Sequence, residues 1–482
     1  MLFYDRRPQT RSDAAPPPRV LFLNRSYWPD AEATGQLLTE LAEDLARGAC
    51  GPQDRKNQDE GADELPLERF APEIAVVCGR PNWNPSGVKC KSFGASVRHG
   101  VTIHRVWHTR WDKAFLRNRA ANFVTFLIGA VARALFCRRA DVVVVETDPF
   151  LLALVGPLLK LRHRAKLVVY AQDVHPELGV AIGRVPDWRS VRLLSAALRR
   201  SYRRADRIVT LSRDMRDTFV RFGVDPGRVE VVPNWTCTAA VHPVRPFNPF
   251  RGRHGLEGKF VVMHSGNMGQ TQRLEALVDA AASLRNREDV AFLFVGNGSL
   301  QASLRERAAE LPNVRFLPYE PKEKLAESLS AADLHVVSID PRAVPYMMPS
   351  KLYGILASGA ACLAIAPRGC ELAETVHGRG VGWVVEPGNV AELADRIRRL
   401  ADDPADAEEA GRIARELSAE YHRAVVTARF ATILAELLRS GESCDIETRS
   451  TTSWSHQAVS APQLPVSADA VVLPPQEPAS PR

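Results

Sequence analysis

The sequence predicts an α/β protein of two Rossmann-like, doubly wound parallel-sheet domains in tandem, facing each other across a central cleft. Three observations carry this expectation. Apolar runs of strand length alternate with segments of helical periodicity, and the alternation restarts after a Pro/Gly/Arg-rich connector, NPFRGRHGLEG. At 482 residues the chain also exceeds one ordinary core, at roughly 150 residues per domain.

The first series of runs is RVLFLN, EIAVVCG, VTIHRV, DVVVVE, KLVVYAQ, RIVTLS and VEVVPN. The second is FVVMHSG, AFLFVGNG, NVRFLPY, LHVVSI, ACLAIA and GWVVEPG. Near-continuous Val, Ile and Leu suit strands buried on both faces, the condition of a parallel sheet clothed by helices. Ligands of such sheets bind beyond the carboxyl ends of the strands, so two sheets set a cleft between those edges. The expected division is a disordered tail at 1–18, a first domain at 19–240 with a polar loop insertion at 48–69, and a linker at 241–258. A second domain at 259–418, a helix crossing back at 419–439 and a disordered Ser/Pro-rich tail at 440–482 complete it.

Hydrophobic residues at 45% and charged residues at 25% suit a soluble globular protein rather than a disordered one. A net charge of +7 favours anionic partners: nucleic acid, phosphorylated substrates or a bilayer surface. Eight scattered cysteines without a C-x-x-C suit a reduced cytosolic compartment. Neither a signal-peptide stretch nor a run of about 18 apolar residues is present, so secretion by that route and membrane spanning are not expected. Dinucleotide chemistry is disfavoured because Gly296-Asn297-Gly298 stands without the rest of a G-x-G-x-x-G fingerprint. No G-x-S-x-G elbow suggests a hydrolase, and no nucleic-acid-binding module is recognisable, so nucleic acid is not an expected partner.

Five places could carry chemistry or binding. After RVLFLN, Thr34 is expected to cap a helix, and Gly35 to let a phosphate or acceptor approach; an ordinary cap and a close helix–strand contact is the alternative. In the second series, the turn Gly266-Asn267-Met268-Gly269 to Gln272 opens the helix RLEALVDAAASLR, and Pro349-Ser350-Lys351 opens LYGILASG. Both are ready anion sites, and either could also be a plain helix start. The strand KLVVYAQ runs into Gln172-Asp173-Val174-His175-Pro176-Glu177, where Asp173 or Glu177 could take a proton from a hydroxyl or simply serve a helix start. The same cluster could bind a divalent ion, but no H-E-x-x-H or D-x-D-type pair accompanies it, and no metal is expected. Finally, an apolar helix around Phe123 to Phe136 is flanked by Arg117, Arg119, Arg133, Arg138 and Arg139. It could lie in a membrane interface with Phe123, Phe126, Leu127 and Val131 dipping inward, or be an ordinary buried helix.

Taken together, RVLFLNRSYWPDAEATGQLLTELAEDLA, VVVVETDPFLLALVG, VVYAQDVHPELGVAIG, ADRIVTLSRDMRDTFVRFGVDPGRVEVVPNW, NPFRGRHGLEGKFVVMHSGNMG and MPSKLYGILASG resemble glycosyltransferase family 4 over residues 19–435. Within it they are similar to the WbuB-type transferases of bacterial surface polysaccharide synthesis. The resemblance implies a GT-B fold and a retaining, metal-independent transfer with no cofactor beyond the nucleotide-sugar co-substrate. The donor it implies is UDP-linked, carrying an N-acetylated deoxyamino sugar. The acceptor is a saccharide on polyprenyl diphosphate, met from the cytoplasm by an enzyme resting peripherally on an anionic membrane surface.

Under that mapping Gly266, Asn267, Gly269, Gln272, Ser350, Lys351 and Leu352 attend the diphosphate, and Leu317 to Tyr319 meet the base. Gln172 and Asp173 sit beside the sugar, while Thr34, Gly35, His175 and Glu177 lie on the acceptor or phosphate side. Asp173, Lys351 and Gln172 are the implied catalytic set. The chain departs from the family pattern at Asn267 and Gln272, where most members carry Arg and Lys. It departs again at Tyr346 and Gly354, which align with the two glutamates of a Glu-x7-Glu motif; Glu371 is the candidate replacement carboxylate. Two rival readings are a nucleotide-sugar 2-epimerase of the same fold and a catalytically silent nucleotide-sugar-binding subunit.

Overall fold

The computed structural model describes residues 16–30, 32–48, 70–82, 87–88, 90–112 and 115–439. The expected terminal tails, apart from residues 16–18, and the polar insertion, apart from residue 48, lie outside the described residues.

The first half alternates β1 (Arg19–Leu23), α1 (Ala33–Arg47), β2 (Glu73–Cys78), β3 (Gly94–Arg98), β4 (Val101–Arg105), α2 (Leu116–Leu135), β5 (Val142–Glu146) and α3 (Leu152–His163). It continues through β6 (Lys166–Ala171), α4 (Glu177–Ala181), α5 (Arg189–Tyr202), β7 (Arg207–Thr210), α6 (Arg213–Arg221) and β8 (Val229–Val231). These strands form one eight-stranded sheet in the order β3-β4-β2-β1-β5-β6-β7-β8, parallel except for the β3–β4 hairpin. Each apolar run named from the sequence is a strand here. The added strand is β3, GASVR, an edge strand with Val97 72% exposed.

The second half comprises α7 (Pro249–His254), β9 (Phe260–Ser265), α8 (Glu275–Ser283), β10 (Val290–Val295), α9 (Gln301–Arg307), β11 (Val314–Leu317), α10 (Leu325–Leu329) and β12 (Leu334–Ser338). Then follow α11 (Lys351–Ser358), β13 (Ala361–Ile365), α12 (Glu371–Ala373), β14 (Gly382–Val385), α13 (Val390–Asp402), α14 (Ala405–Leu417) and α15 (Arg423–Arg439). Its sheet is fully parallel, in the order β11-β10-β9-β12-β13-β14. The expected linker holds α7, capped by the Asn248 side chain, and Phe250 from it is buried with Val261, Met263 and Leu293. It is therefore part of the second core.

Two helix starts differ from expectation. Helix α1 begins at Ala33 with extended Glu32 before it, so Thr34 lies inside the first turn rather than capping it. After the Gly266 turn, Arg273 is left-handed at φ 44° and the helix waits until Glu275.

Helix α15 packs on the first sheet, where Phe430 stands 5.2 Å from Tyr170 and 6.5 Å from Phe22. Arg423 fixes its start by a bidentate pair with Asp44 of α1, at 2.7 and 2.8 Å. Helix α2 is half core and half surface. Phe126 is fully buried and Phe123 lies under the Arg25 guanidinium, 5.6 Å from its ring centre. With Leu127 and Val131 only partly exposed, the expected membrane-dipping set is not the outward one; Val124, Ile128 and Phe136 are, at 47%, 64% and 82% exposure. The side chain of Arg119 lies outside what is described.

The carboxyl ends of the two sheets meet through backbone. The Val174 N–H donates to the Tyr346 carbonyl at 2.9 Å, and Asp173 pairs with Met347 in an isolated antiparallel bridge. The segment after β6 therefore lies against the one that leads into α11.

Candidate functional site

On the second sheet the site is built where β9 and β10 end. Gly266 takes φ 126° and donates its N–H to the Val295 carbonyl; Gly296 takes φ 138° and donates to the Leu317 carbonyl. A side chain on Gly296 would overlap the Gly266 carbonyl, so only glycine lets the two strand ends approach this closely. The turn itself is stapled from within. Gln272 is buried and its Oε1 accepts the Gly269 N–H at 2.8 Å, while Asn267 is exposed. Gln272 and Gly269 thus bond to each other in both directions, leaving Asn267 to face solvent.

Lys351 opens α11 beside this turn. Ser350 precedes it exposed and makes no side-chain cap bond, which leaves its hydroxyl uncommitted as a cap. The Lys351 Nζ lies 3.1 Å from Nε2 of His264 and about as close to Gly266 as a side chain there would permit. Among the described residues no carboxylate pairs with it, and burial draws its pKa down to about 7. Leu352, by contrast, is fully buried core. Tyr319, half-exposed just beyond β11, flanks Gly296 at the rim. Glu371 is committed elsewhere: its carboxylate accepts the Arg213 N–H and Nε, both at 2.9 Å, while its own N–H goes to Asp214. The structure therefore does not bring it in as a free replacement carboxylate.

The first sheet offers the opposite chemistry. Beyond β5, Asp148 receives the hydroxyls of Thr34 at 3.3 Å and Ser26 at 3.4 Å, and pairs with Arg25, which also pairs with Glu32 at 2.9 Å. This network ties the β1–α1 loop to the β5–α3 loop. Gly35 lets α1 sit against that loop, since a side chain there would come within 3.0 Å of the Ser26 Cβ. The N–H groups of Gln172 and Asp173 both donate to the Thr147 hydroxyl, and Gln172 is buried, facing Asn234. Burial raises Asp173 to about 6, helped by the charge on Asp148. Glu146, buried behind it, is held well above the carboxylate range by the same two causes, and neither of its oxygens has a hydrogen-bond partner among the described residues.

His175 and Glu177 do not join Asp173. The His175 ring packs near Phe150 and burial keeps it below its ordinary pKa; Glu177 turns to Arg199 at 3.2 Å. Among the described residues no three His, Cys, Asp or Glu side chains gather as a metal site. The residues that sequence reasoning missed are His264, Arg25, Asp148 and Glu146. Three of them stand at or just past strand ends, a position that could have flagged them.

The arrangement sets carboxylates at the carboxyl edge of one parallel sheet and a lysine at that of the other, with backbone contacts between the two segments. A profile described as "Glycosyl transferase 4-like domain" matches residues 67–235, and one described as "Glycosyl transferases group 1" matches residues 259–403. The probable glycosyltransferase WbjE of Pseudomonas aeruginosa is 32% identical over 333 residues, covering 68% of this chain and 82% of that protein. The putative colanic acid biosynthesis glycosyl transferase WcaI of Escherichia coli K12 is 31% identical over 244 residues, 49% of this chain and 60% of that protein. Among solved structures, Anabaena Alr3699/HepE in complex with UDP and glucose matches with a TM-score of 0.62 at 16% identity, over 87% of this chain and 99% of that one. The fold is that of a GT-B glycosyltransferase. The chain belongs to the group 1, family 4-like glycosyltransferases and is a glycosyltransferase.

Proposed function

We propose that the protein transfers a sugar, with retention and without a metal, from a UDP-linked donor to a lipid-linked saccharide acceptor, as a step in bacterial surface polysaccharide synthesis. The observation that carries this is Lys351: a partly buried ammonium with no carboxylate paired to it among the described residues, beside a glycine turn and at a helix start. Such a cation awaits an anion from outside the protein. In transfer, the bond from the sugar carbon to the diphosphate oxygen breaks, and Lys351, Asn267 and nearby backbone N–H groups stabilise the charge left on the phosphate. The acceptor oxygen bonds to the same face of that carbon, and its proton passes to the departing phosphate. Asp173 orients the hydroxyl across the cleft, with Gln172 holding the loop beneath it. Leu317 to Tyr319 form the rim for the base.

The names of WcaI, tied to colanic acid synthesis, and of HepE, solved with UDP and glucose, support the polysaccharide setting and the UDP donor. An N-acetylated deoxyamino sugar and a polyprenyl diphosphate acceptor follow the resemblance in sequence. For the membrane, no described helix is long and apolar enough to cross, so we infer peripheral attachment at the cytoplasmic face through the outward stripe of α2, with Arg117 and Arg138 exposed nearby.

The test is incubation of pure protein with labelled UDP-sugars, with and without a polyprenyl diphosphate saccharide, in the presence and absence of EDTA. Acceptor-dependent transfer that survives chelation is expected. Donor epimerised without acceptor would instead support a 2-epimerase, binding without turnover a silent subunit, and loss to EDTA reversed by magnesium or manganese a metal-dependent route.

A further inference from the structure

We propose that His264 is a positioning residue for this site: its neutral imidazole holds the Lys351 amine against Gly266, pre-aimed at the position of the donor diphosphate. The inference rests on the donor-site reading above and assigns a role to a residue outside it.

His264 is the next-to-last residue of β9, fully buried, with its ring 6.4 Å from that of Phe294 on β10. Its Nδ1 lies 3.4 Å from the Val336 carbonyl of β12, and its Nε2 lies 3.1 Å from Lys351 Nζ and 3.4 Å from the Asn267 carbonyl. A charged ammonium has only donors to offer, so Nε2 must present its lone pair to it and the ring proton must sit on Nδ1, toward Val336. That tautomer serves Val336 and Lys351, and the Asn267 carbonyl receives no proton from the ring. Burial and the adjacent Lys351 keep the ring well below its ordinary pKa, so it remains an acceptor. Among the described residues, His335 on β12 also faces Lys351. It is held at about 4, mainly by burial, and gives its Nε2 contact to the Leu329 carbonyl. Neither histidine adds charge, and Lys351 is left as the ionisable cation of the turn. Lysine has a long flexible stem, so holding it in place beforehand removes an ordering cost from anion binding.

The experiment is UDP binding by calorimetry from pH 6 to 9 for wild type, His264→Gln, His264→Leu, Lys351→Ala and the Leu/Ala double variant. Glutamine can present its carbonyl where Nε2 stood, whereas leucine has no acceptor. Wild-type affinity should fall as pH rises above about 7, by up to about tenfold per unit, because the empty site's amine must regain its proton. His264→Leu should weaken UDP about 5 to 30-fold at pH 7.5 and move the fall-off to lower pH, and His264→Gln should restore most of both. In the Lys351→Ala background, His264→Leu should cost no more than about twofold. If the leucine variant is misfolded, His264→Asn, whose amide is too short to reach Lys351, takes its place. Equal losses in both backgrounds, or Gln behaving like Leu, would overturn the role of His264 while leaving the donor site standing. If Lys351→Ala itself leaves UDP affinity unchanged, the donor-site reading fails first.

Discussion

At the carboxyl edge of the first sheet stand Glu146, Asp148 and Asp173, while at that of the second stand Lys351, His264 and a glycine turn with no carboxylate paired to its lysine among the described residues. Burial acts on both and pushes them in opposite directions. It raises Asp173 to about 6 and lowers Lys351 to about 7, so each group is drawn toward its neutral form. The difference teaches how burial acts on opposite charges: it pulls the acid toward its protonated form and the amine toward its neutral one. A diphosphate suits the second edge. A hydroxyl to be held in place suits the first.

The largest effect should come from breaking the cationic edge. Lys351→Ala is expected to cut turnover by about 10 to 1000-fold, and to weaken UDP binding by less, because the charge matters most as the diphosphate departs. Steady-state kinetics beside calorimetry measure both, and a loss of UDP affinity with turnover unchanged would mean Lys351 binds the ground state and the transition state alike. The acidic edge should answer more modestly. Asp173→Asn is expected to reduce acceptor-dependent transfer on the order of tenfold while UDP affinity stays constant. A matching fall in UDP affinity would show that the two edges do not divide donor from acceptor.

The same comparison shows what sequence could and could not convey. Strands such as VVVVE and VAFLFV announce themselves because every residue is buried and apolar. Strand β3 was silent because GASVR is an edge with one large apolar residue, itself exposed. Lys351 and Asp173 were legible because they stand in turns after strong elements. His264 was hidden inside an apolar run, and its meaning depends on a partner 87 positions away in sequence. Arg25 and Asp148 likewise acquire a role only when parallel pairing of β1 with β5 brings their loops together. Thr34 was misplaced for a local reason: the extended backbone of Glu32 starts the helix before it.

A third prediction sharpens the contrast between the outer faces, since the outward stripe of α2 belongs to the first sheet's domain. Each basic residue near an anionic surface contributes about 1 kcal/mol, screened over about 10 Å at 0.1 M salt. Co-sedimentation with anionic but not neutral liposomes is expected, weakened by salt and by Arg117→Gln with Arg138→Gln. The salt-resistant part should disappear in Ile128→Ser with Phe136→Ser. Binding that ignores both changes would return α2 to a purely structural role.

The smallest expected effect is on stability, and it concerns two acids of the first edge, the partly buried Asp173 and the buried Glu146. In the unfolded chain Asp173 titrates near 3.8, and in the fold at about 6. The fold therefore favours the protonated acid: that contribution is fully present below pH 3.8 and is lost as pH rises through about 6. Above that, wild type keeps a buried charge that asparagine does not have. Asp173→Asn should thus be more stable than wild type by about 1 to 2 kcal/mol at pH 8, with the gain building between pH 4 and 6 and then levelling off. Burial and the charge on Asp148 also raise Glu146 well above the ordinary carboxylate range, so Glu146→Gln should likewise be more stable than wild type, by a margin that grows as pH rises. Denaturant unfolding at pH 4, 6 and 8 measures both gains. If Asp173→Asn loses stability at pH 8, its carboxylate is held by favourable contacts rather than strained by burial, and the acidic edge is a structural network rather than one poised to act.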